Sequence, residues 1–381
     1  MDLSKPKAVV FFQYLPPWRI DVFNEMAKYY NLTIIYTNAD IDGFKYDREE
    51  LLNRLNKNIK NIFLNNGIKI GKRPIRFGIY KFIKSIKPTI IFSHEYTATS
   101  IFLATFLKLR LFNFQLVITT SDNLLIAKST GKIKSYFRKY VLEVSKSIIV
   151  YSESVKQFYL SNFKDLRVEI CPNIQNSKTL LNYRTSFPSI IEASLKKFDI
   201  VNKKLILFTG RLENVKGLDL LLKAFSKSKN INFKLVLVGE GSEKKKLQQQ
   251  CKQLNIEDKV IFAGFYSGSE LYAWYDLASF YILPSRFEPF GAVVNEALVY
   301  GCPVMASKYI GAVDFINETN GLLFDPLDLN EFISSLNIFY ERCSSSEFND
   351  RFNLMINSFE EYVKVFDEIF NESEKNDKNR I

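Results

Sequence analysis

Metal ligands and disulfide formers are scarce in this chain. One histidine, His94, occurs in 381 residues, so a histidine-based metal site is not expected. The four cysteines, Cys171, Cys251, Cys302 and Cys343, are widely spaced and form no CxxC pair. They read as reduced thiols of a cytosolic protein rather than zinc ligands. Long apolar runs are also missing. The most apolar stretch, 101–120, is broken by Lys108 and Arg110, whereas a membrane-spanning helix needs roughly 20 mostly apolar residues. The apolar run at the start is short, contains Gln13 and ends in Pro16-Pro17-Trp18 without a small-residue cleavage site. It reads as a first buried strand, not a signal peptide.

Acidic residues are absent from one region. Residues 51–140 hold 17 Lys/Arg against 2 Asp/Glu, and this stretch accounts for the net charge of +11. Residues 1–200 carry 31 basic and 16 acidic side chains, and the remainder carries 21 and 25. Such a patch could meet an anionic membrane, a nucleic acid or an anionic substrate, or simply be a solvated lysine-rich surface. What is plentiful is ordinary globular material, 47% hydrophobic and 24% charged. That excludes low-complexity disorder and disulfide-stapled mini-proteins. The length suits two domains, each able to bury its own core.

The second half alternates apolar runs with helical stripes. Lys204–Thr209, Phe233–Gly239, Val260–Ala263, Phe280–Leu283 and Pro303–Ala306 read as strands, apolar throughout as when both sheet faces are covered. Between them, Gly217–Lys227 places Leu218, Leu221, Leu222 and Phe225 on one helical face. The first half repeats the style, with strands at 8–13, 32–36, 61–64, 89–92, 116–120, 147–151 and 168–171. Helices are expected at 19–28, 99–108, 133–144 and 359–370. Strands alternating with helices predict α/β domains with parallel sheets. Ligands of such sheets sit beyond the carboxyl ends of the strands.

Two motifs fall in such loops. Gly210-Arg211-Leu212-Glu213-Asn214-Val215-Lys216-Gly217 follows one strand and opens a helix. Two cations five residues apart beside free helix amides form an anion site, although an ordinary surface loop could look the same. Glu288-Pro289-Phe290-Gly291-Ala292-Val293-Val294-Asn295-Glu296 follows another. Here a helix start lies between two carboxylates, each able to accept hydrogen bonds from vicinal hydroxyls. Solvated or capping glutamates are the plain alternative.

Together these residues resemble the retaining glycosyltransferases of family four, which have the GT-B architecture. The resemblance continues through Val238-Gly239-Glu240-Gly241, Phe262-Ala263-Gly264, Pro284-Ser285, Gly301-Cys302-Pro303-Val304 and Gly321-Leu322-Leu323-Phe324. It covers about residues 140–335 well and the first domain weakly. Tyr151-Ser152-Glu153-Ser154 and Cys171-Pro172-Asn173 fit the approach to the linker, but Asn173-Ile174 stands where the family usually has Asn-Gly.

The resemblance implies a fold of two doubly wound Rossmann-like domains facing a central cleft. The acceptor-binding domain would span 1–185, with a helix near 356–371 packing back on it. The nucleotide-sugar domain would span 200–355, and 372–381 would be a polar tail. Arg211 and Lys216 would bind the donor diphosphate and stabilise the leaving group. Glu288 would hold the transferred sugar and Glu296 the ribose. Gly210, Gly239 and the amides of Phe290, Gly291 and Ala292 would approach the donor, and Phe265 would face the base. Asp122, after a first-domain strand, is a candidate to orient acceptor or sugar, with helix capping as its alternative. His94 and Trp18 are acceptor-side candidates, with a structural loop histidine and a buried anchor as their alternatives. No metal or other cofactor is implied.

The implied activity is transfer of a hexose from a nucleotide-diphosphate sugar, UDP before GDP, to a glycan or lipid-linked acceptor in surface polysaccharide assembly. The setting is cytoplasmic. The basic, aromatic-rich stretch 69–87 reads as an amphipathic cationic segment suited to a peripheral contact with an anionic membrane, or equally as a solvated helix packing its apolar face inward. The DxD at Asp40-Ile41-Asp42 reads as a solvated acidic loop. Rival readings are a sugar-nucleotide epimerase or phosphorylase on the same fold, and a basic membrane- or nucleic-acid-binding protein without turnover. No nucleic-acid-binding motif supports the last.

Overall fold

The computed structural model describes residues 5–38, 47–70, 73–145, 147–229, 232–344 and 351–378. The DxD at 40–42 lies outside the described residues. The chain divides into two compact units, one of residues 1–175 with 359–381, the other of 176–358. The chain leaves the first unit at 175, ten residues before the boundary expected from sequence.

The first unit contains strands β1 (Lys7–Phe12), β2 (Asn31–Tyr36), β3 (Lys60–Phe63), β4 (Gly67–Ile70), β5 (Arg73–Arg76), β6 (Ile90–His94), β7 (Gln115–Thr119), β8 (Ser147–Val150) and β9 (Arg167–Ile170). Seven of them form a parallel sheet in the order β3-β2-β1-β6-β7-β8-β9. Val9, Ile35, Ile91, Ile118 and Ile148 are fully buried, because crossover helices cover the sheet. The order reverses between β1 and β6. At such a reversal the loops after the two strands are expected to diverge and leave a crevice at the carboxyl edge.

The remaining pair, β4 and β5, is an antiparallel hairpin inside the basic stretch 69–87. The helix Ile79–Ile86 follows it and buries Ile79 and Ile83. Tyr80 packs on Phe106 and Phe112, with ring centroids 5.9 and 5.0 Å away. The stretch is therefore a hairpin and a short helix, not one amphipathic segment, and the helix turns its apolar side inward.

The helix Phe359–Lys378 closes the first unit. Val363, Phe366 and Ile369 are buried, Phe366 meets Phe92 edge-on at 5.9 Å, and Tyr30 donates its hydroxyl to the Phe366 carbonyl at 3.0 Å. Residues 372–378, expected as a polar tail, continue this helix. Arg167 holds Glu368 at 3.3 Å and also pairs with Glu372.

The second unit contains β10 (Lys204–Thr209), β11 (Phe233–Val238), β12 (Val260–Gly264), β13 (Phe280–Leu283), β14 (Val304–Ser307) and β15 (Gly321–Phe324), all parallel, in the order β12-β11-β10-β13-β14-β15. Its reversal lies between β10 and β13, the two strands that precede the motif loops. Residues 176–198, of which the sequence reading gave 176–185 to the first domain and left the rest between domains, are mostly helical and belong to this unit. Arg184 reaches Asp276 at 3.0 Å and the carbonyls of Tyr300 and Arg351 at 3.1 and 3.0 Å. The Tyr300 hydroxyl donates to the Leu180 carbonyl at 2.5 Å.

Candidate functional site

In the second unit the sequence motifs meet at the β10/β13 reversal. β10 ends at Thr209, and the chain turns at Gly210 with φ +142°. Asn214–Lys216 forms one 3-10 turn, and Gly217, at φ +67°, starts the helix Leu218–Lys227. A Cβ on Gly217 would lie 2.1 Å from the Pro284 carbonyl oxygen. Only glycine allows the two loops to touch there. Across that contact, the Arg286 amide donates to the Val215 carbonyl at 2.9 Å.

Lys216 and Glu288 form an ion pair in this junction, with side chains 16% and 15% exposed. Ile310 and Gly311 support the Glu288 backbone. Its amide donates to the Tyr309 carbonyl at 3.2 Å, and its carbonyl accepts from the Gly311 amide at 3.1 Å. Gly291, at φ +97°, turns the chain into the helix Val293–Val299. Phe290 is buried against Phe315, which fixes the turn from beneath.

Arg211 is more open, 44% exposed, and pairs with Glu213 at 2.7 Å. Glu296 lies deeper. It is buried, and its Oε2 accepts the Tyr275 hydroxyl at 2.9 Å. Tyr275 also lies 2.8 Å from the Thr209 hydroxyl, and Tyr281 donates to the Thr209 carbonyl at 3.2 Å. Burial, reinforced by the Glu296 charge, holds the Tyr275 phenol far above its usual range, so it is a neutral donor. Gly239 faces the Gly210 carbonyl so closely that a Cβ would lie 1.9 Å away. Its glycine thus has a structural cause, the packing of the loops after β10 and β11. Phe265 follows β12 and is 59% exposed.

The sequence reading gave no role to two residues here. Arg286 donates to both carboxylate oxygens of Asp219 at 2.7 Å, and to the Asn214 carbonyl at 2.8 Å. It clamps the Lys216 loop to the Glu288 loop. Although burial opposes it, the hydrogen bonds and charge of Arg286 bring the Asp219 carboxyl below its usual range. A cation two residues before Glu288 was the available signal. Ser285 is fully buried, and its hydroxyl has no hydrogen-bond partner among the described residues.

In the first unit the acceptor-side candidates lie around the β1/β6 reversal. His94, at the end of β6, stacks on Phe12 with ring centroids 4.3 Å apart, and its Nδ1 lies 3.0 Å from the Thr119 hydroxyl. Burial and the nearby Arg19 charge, against a smaller opposing effect of Asp122, lower its pKa to about 3, so the ring is neutral. Asp122 is buried between Lys134 at 3.1 Å and Arg138 at 3.4 Å. Burial, then the Glu95 charge, outweigh both cations and raise its pKa. Capping of the next helix falls to Asn123, which accepts from the Ile126 amide at 2.9 Å. Trp18 is half-buried in the 3-10 turn Pro17–Arg19.

Glu95 is the residue missed here. It adopts φ +61°, uncommon for a non-glycine residue, and its Oε1 accepts from both the amide and the hydroxyl of Ser121 at 2.8 and 2.6 Å. That ties the loop after β6 to the loop carrying Asp122. A pocket of about 250 Å³ lined by Ile83, Lys84, Lys87 and Phe112 also takes in Pro88 and Phe114. It therefore opens at the amino ends of β6 and β7, away from this edge.

Among the described residues, no cluster of three His, Cys, Asp or Glu could hold a metal ion, and no helix is long and apolar enough to cross a membrane.

This fold, two Rossmann-like units each with a strand-order reversal in its parallel sheet, is that of the GT-B glycosyltransferases. Residues 191–352, less than half of the chain, match the family model described as glycosyl transferases group 1. An uncharacterized glycosyltransferase of Methanocaldococcus jannaschii is 34% identical over 177 residues, 43% of this chain and 45% of that protein. The lipopolysaccharide 1,2-N-acetylglucosaminetransferase of Salmonella typhimurium is 29% identical over 223 residues, 55% of this chain and 57% of that protein. The chain spans about half the length of these curated relatives. Among solved structures, Anabaena HepE in complex with UDP superposes with a TM-score of 0.73 at 18% identity, over 96% of this chain and 100% of that one.

Proposed function

We propose that the protein is a retaining hexosyltransferase that uses a nucleotide-diphosphate sugar, UDP before GDP, and a glycan or lipid-linked acceptor. The observation that carries this reading is the Lys216–Glu288 pair, held where the second sheet reverses its strand order. A cation and a carboxylate in contact match the two halves of a sugar nucleotide. The diphosphate draws Lys216, with Arg211 closing from the more open side. Glu288, released from Lys216, accepts hydrogen bonds from the sugar hydroxyls. Tyr275 keeps Glu296 oriented for the ribose. Amides at 290–292 face the diphosphate, Gly210 and Gly239 let the backbone come close to it, and Phe265 stacks near the base.

In the reaction, the bond from the sugar's anomeric carbon to the diphosphate oxygen breaks. The acceptor hydroxyl oxygen bonds to that carbon on the same face, and its proton passes to the departing diphosphate. Negative charge grows on the diphosphate, where Lys216 and Arg211 oppose it. These fixed cations supply the charge that a divalent ion would bring, so the reading needs no metal. In the first unit, Asp122, His94 and Trp18 line the acceptor side. The named activity of the Salmonella relative supports a surface-glycan setting, and the UDP bound to the Anabaena neighbour supports the UDP preference. Four free cysteines agree with a cytoplasmic location.

The test is thermal stabilisation by UDP-, GDP- and ADP-sugars. A ligand that binds only the native state raises the melting temperature. One nucleotide class is expected to stabilise the wild type but not a Glu288→Ala, Lys216→Ala double variant. Equal stabilisation of both proteins would move the donor site elsewhere.

A further inference from the structure

Glu288 belongs to no strand or helix of its own. β13 ends at Leu283, before it, and the next helix starts at Val293, after it. Its backbone is held instead by the loop after β14. Besides the bonds to Tyr309 and Gly311, the Ala312 amide donates to the Phe290 carbonyl at 2.8 Å. Glu288 and Ile310 thus pair as a single parallel bridge. Gly311 permits the close approach, since a Cβ there would lie 2.1 Å from the Pro289 carbonyl oxygen. The place of the Glu288 carboxylate therefore follows that of residues 309–311.

One carboxylate holds that loop in turn. Asp325 directly follows β15, and its Oδ2 accepts the Tyr309 hydroxyl at 3.0 Å and meets Lys308 Nζ at 2.9 Å. Its Oδ1 accepts the Leu327 amide at 2.9 Å. Its own amide donates to Glu331 at 2.8 Å, in the first turn of the helix Leu329–Arg342. Asp325 is thus anchored on one side to a helix start and on the other to two successive loop residues. Burial alone would raise its carboxyl, but the bonds from Lys308, the Leu327 amide and Tyr309 outweigh it and bring the carboxyl below its usual range. At neutral pH it is an anion that can accept from all three.

We infer that Asp325 is a positioning residue for Glu288, acting through Tyr309. The inference rests on the reading of Glu288 as the carboxylate that holds the transferred sugar. Tyr309 carries the coupling because its side chain is a rigid ring with few torsions. Pinning its hydroxyl fixes its backbone carbonyl, which is the acceptor of the Glu288 amide. Lys308 is flexible and 49% exposed, so its ion pair adds little geometry. The precision matters, since a displacement of about 1 Å at a reacting group can cost a hundredfold. The plainer role for Asp325 is to close the bend to Leu327 as an Asx turn. The two roles use different oxygens, Oδ1 for the turn and Oδ2 for the clamp, so they can be separated.

The experiment compares the full chain with Asp325→Asn, Asp325→Ala and Tyr309→Phe, each alone and combined with Glu288→Ala. Calorimetric titration gives the Kd of UDP and of the UDP-hexose that most stabilises the wild type. Hydrogen–deuterium exchange is followed in the protein without ligand. Asp325→Asn keeps an oxygen for the Leu327 amide but turns an N–H₂ donor toward Lys308 and Tyr309. Tyr309→Phe removes one oxygen atom, and an unchanged melting temperature verifies its fold. Asp325→Asn and Tyr309→Phe should each weaken UDP-hexose binding by about three- to tenfold and speed exchange at 287–291 and 308–312 by a similar factor. UDP binding should stay within about twofold, because Glu288 meets the sugar and not the nucleotide. In the Glu288→Ala background the loss should vanish. Wild-type behaviour of Asp325→Asn, equal loss of UDP and UDP-hexose, unchanged exchange, or a loss that persists without the Glu288 side chain would each overturn the inference alone. If no UDP-hexose binds the wild type, or Glu288→Ala binds it normally, the donor reading fails and this inference with it, whatever the exchange shows.

Discussion

Arg286→Ala should disable the donor site without touching a donor-binding side chain. In the wild type, the Arg286 guanidinium makes two hydrogen bonds of 2.7 Å to Asp219 and one of 2.8 Å to the Asn214 carbonyl. Hydrogen bonds involving charge contribute roughly 1.5–3 kcal/mol when sheltered, while solvent-exposed ion pairs contribute about 0–1 kcal/mol. Arg286 and Asp219 are 27% and 33% exposed, between those limits. The expected loss is therefore about 2 kcal/mol, which for a unit of this size lowers the melting temperature by about 4–8 °C. The larger effect is on position. Lys216 sits two residues beyond Asn214, and misplacing a group by about 1 Å can cost a hundredfold in rate. kcat/KM should fall by about ten- to a hundredfold, with donor KM raised. Arg286→Lys keeps the charge but not the two-pronged geometry, so it should recover part of the stability and little of the KM. Asp219→Asn should give a similar KM, and the double variant should be far from additive. The assay is calorimetry beside donor saturation kinetics. Wild-type melting and KM in Arg286→Ala would refute the clamp, as would a loss of stability with no change in KM.

Gly217→Ala places a methyl 2.1 Å from the Pro284 carbonyl oxygen, at φ +67°. It should destabilise by at least about 1–3 kcal/mol and abolish donor-induced stabilisation, as differential scanning fluorimetry would register. His94 has its folded pKa depressed to about 3 by burial and Arg19, below the unfolded value near 6.5, with Glu95 and Asp122 also facing it. The unfolded chain then binds the proton first, so stability present above about pH 6.5 is lost as pH falls toward 3. Relative to wild type, His94→Asn should flatten that slope in urea titrations, and parallel slopes would contradict it. Phe366→Ala removes a fully buried ring that packs on Phe92 and should cost about 3–5 kcal/mol in chemical denaturation. If Lys216 and Arg211 carry the leaving-group charge, a chelator should leave transferase turnover unchanged, whereas loss restored by a divalent cation would reject the metal-independent reading.

The sequence by itself determined the strands and the second-unit motifs. Apolar runs such as Lys204–Thr209 and Phe280–Leu283, alternating with helical stripes, read as central parallel strands, and the residues after them then stand at a carboxyl edge. That put Lys216 and Glu288, 72 residues apart, each in a loop after such a strand, while the sheet order alone made the two strands neighbours. Tertiary structure decided whatever depends on contacts remote in sequence. The hairpin β4–β5 has short strands with no strong alternation, so its pairing was not legible. The family resemblance anticipated that a helix near 356–371 returns to the first unit, but only folding shows what receives it: Tyr30 and Phe92, more than 260 positions away, provide the surface for Phe366. Arg286 reads as an ordinary basic residue until folding brings Asp219 within reach. Glu95 reads as a neighbour of the sole histidine until its positive φ turns its carboxylate onto Ser121. Periodicity reports which side of an element is apolar, but not which distant polar group meets it, and at these positions that meeting sets the geometry of the site.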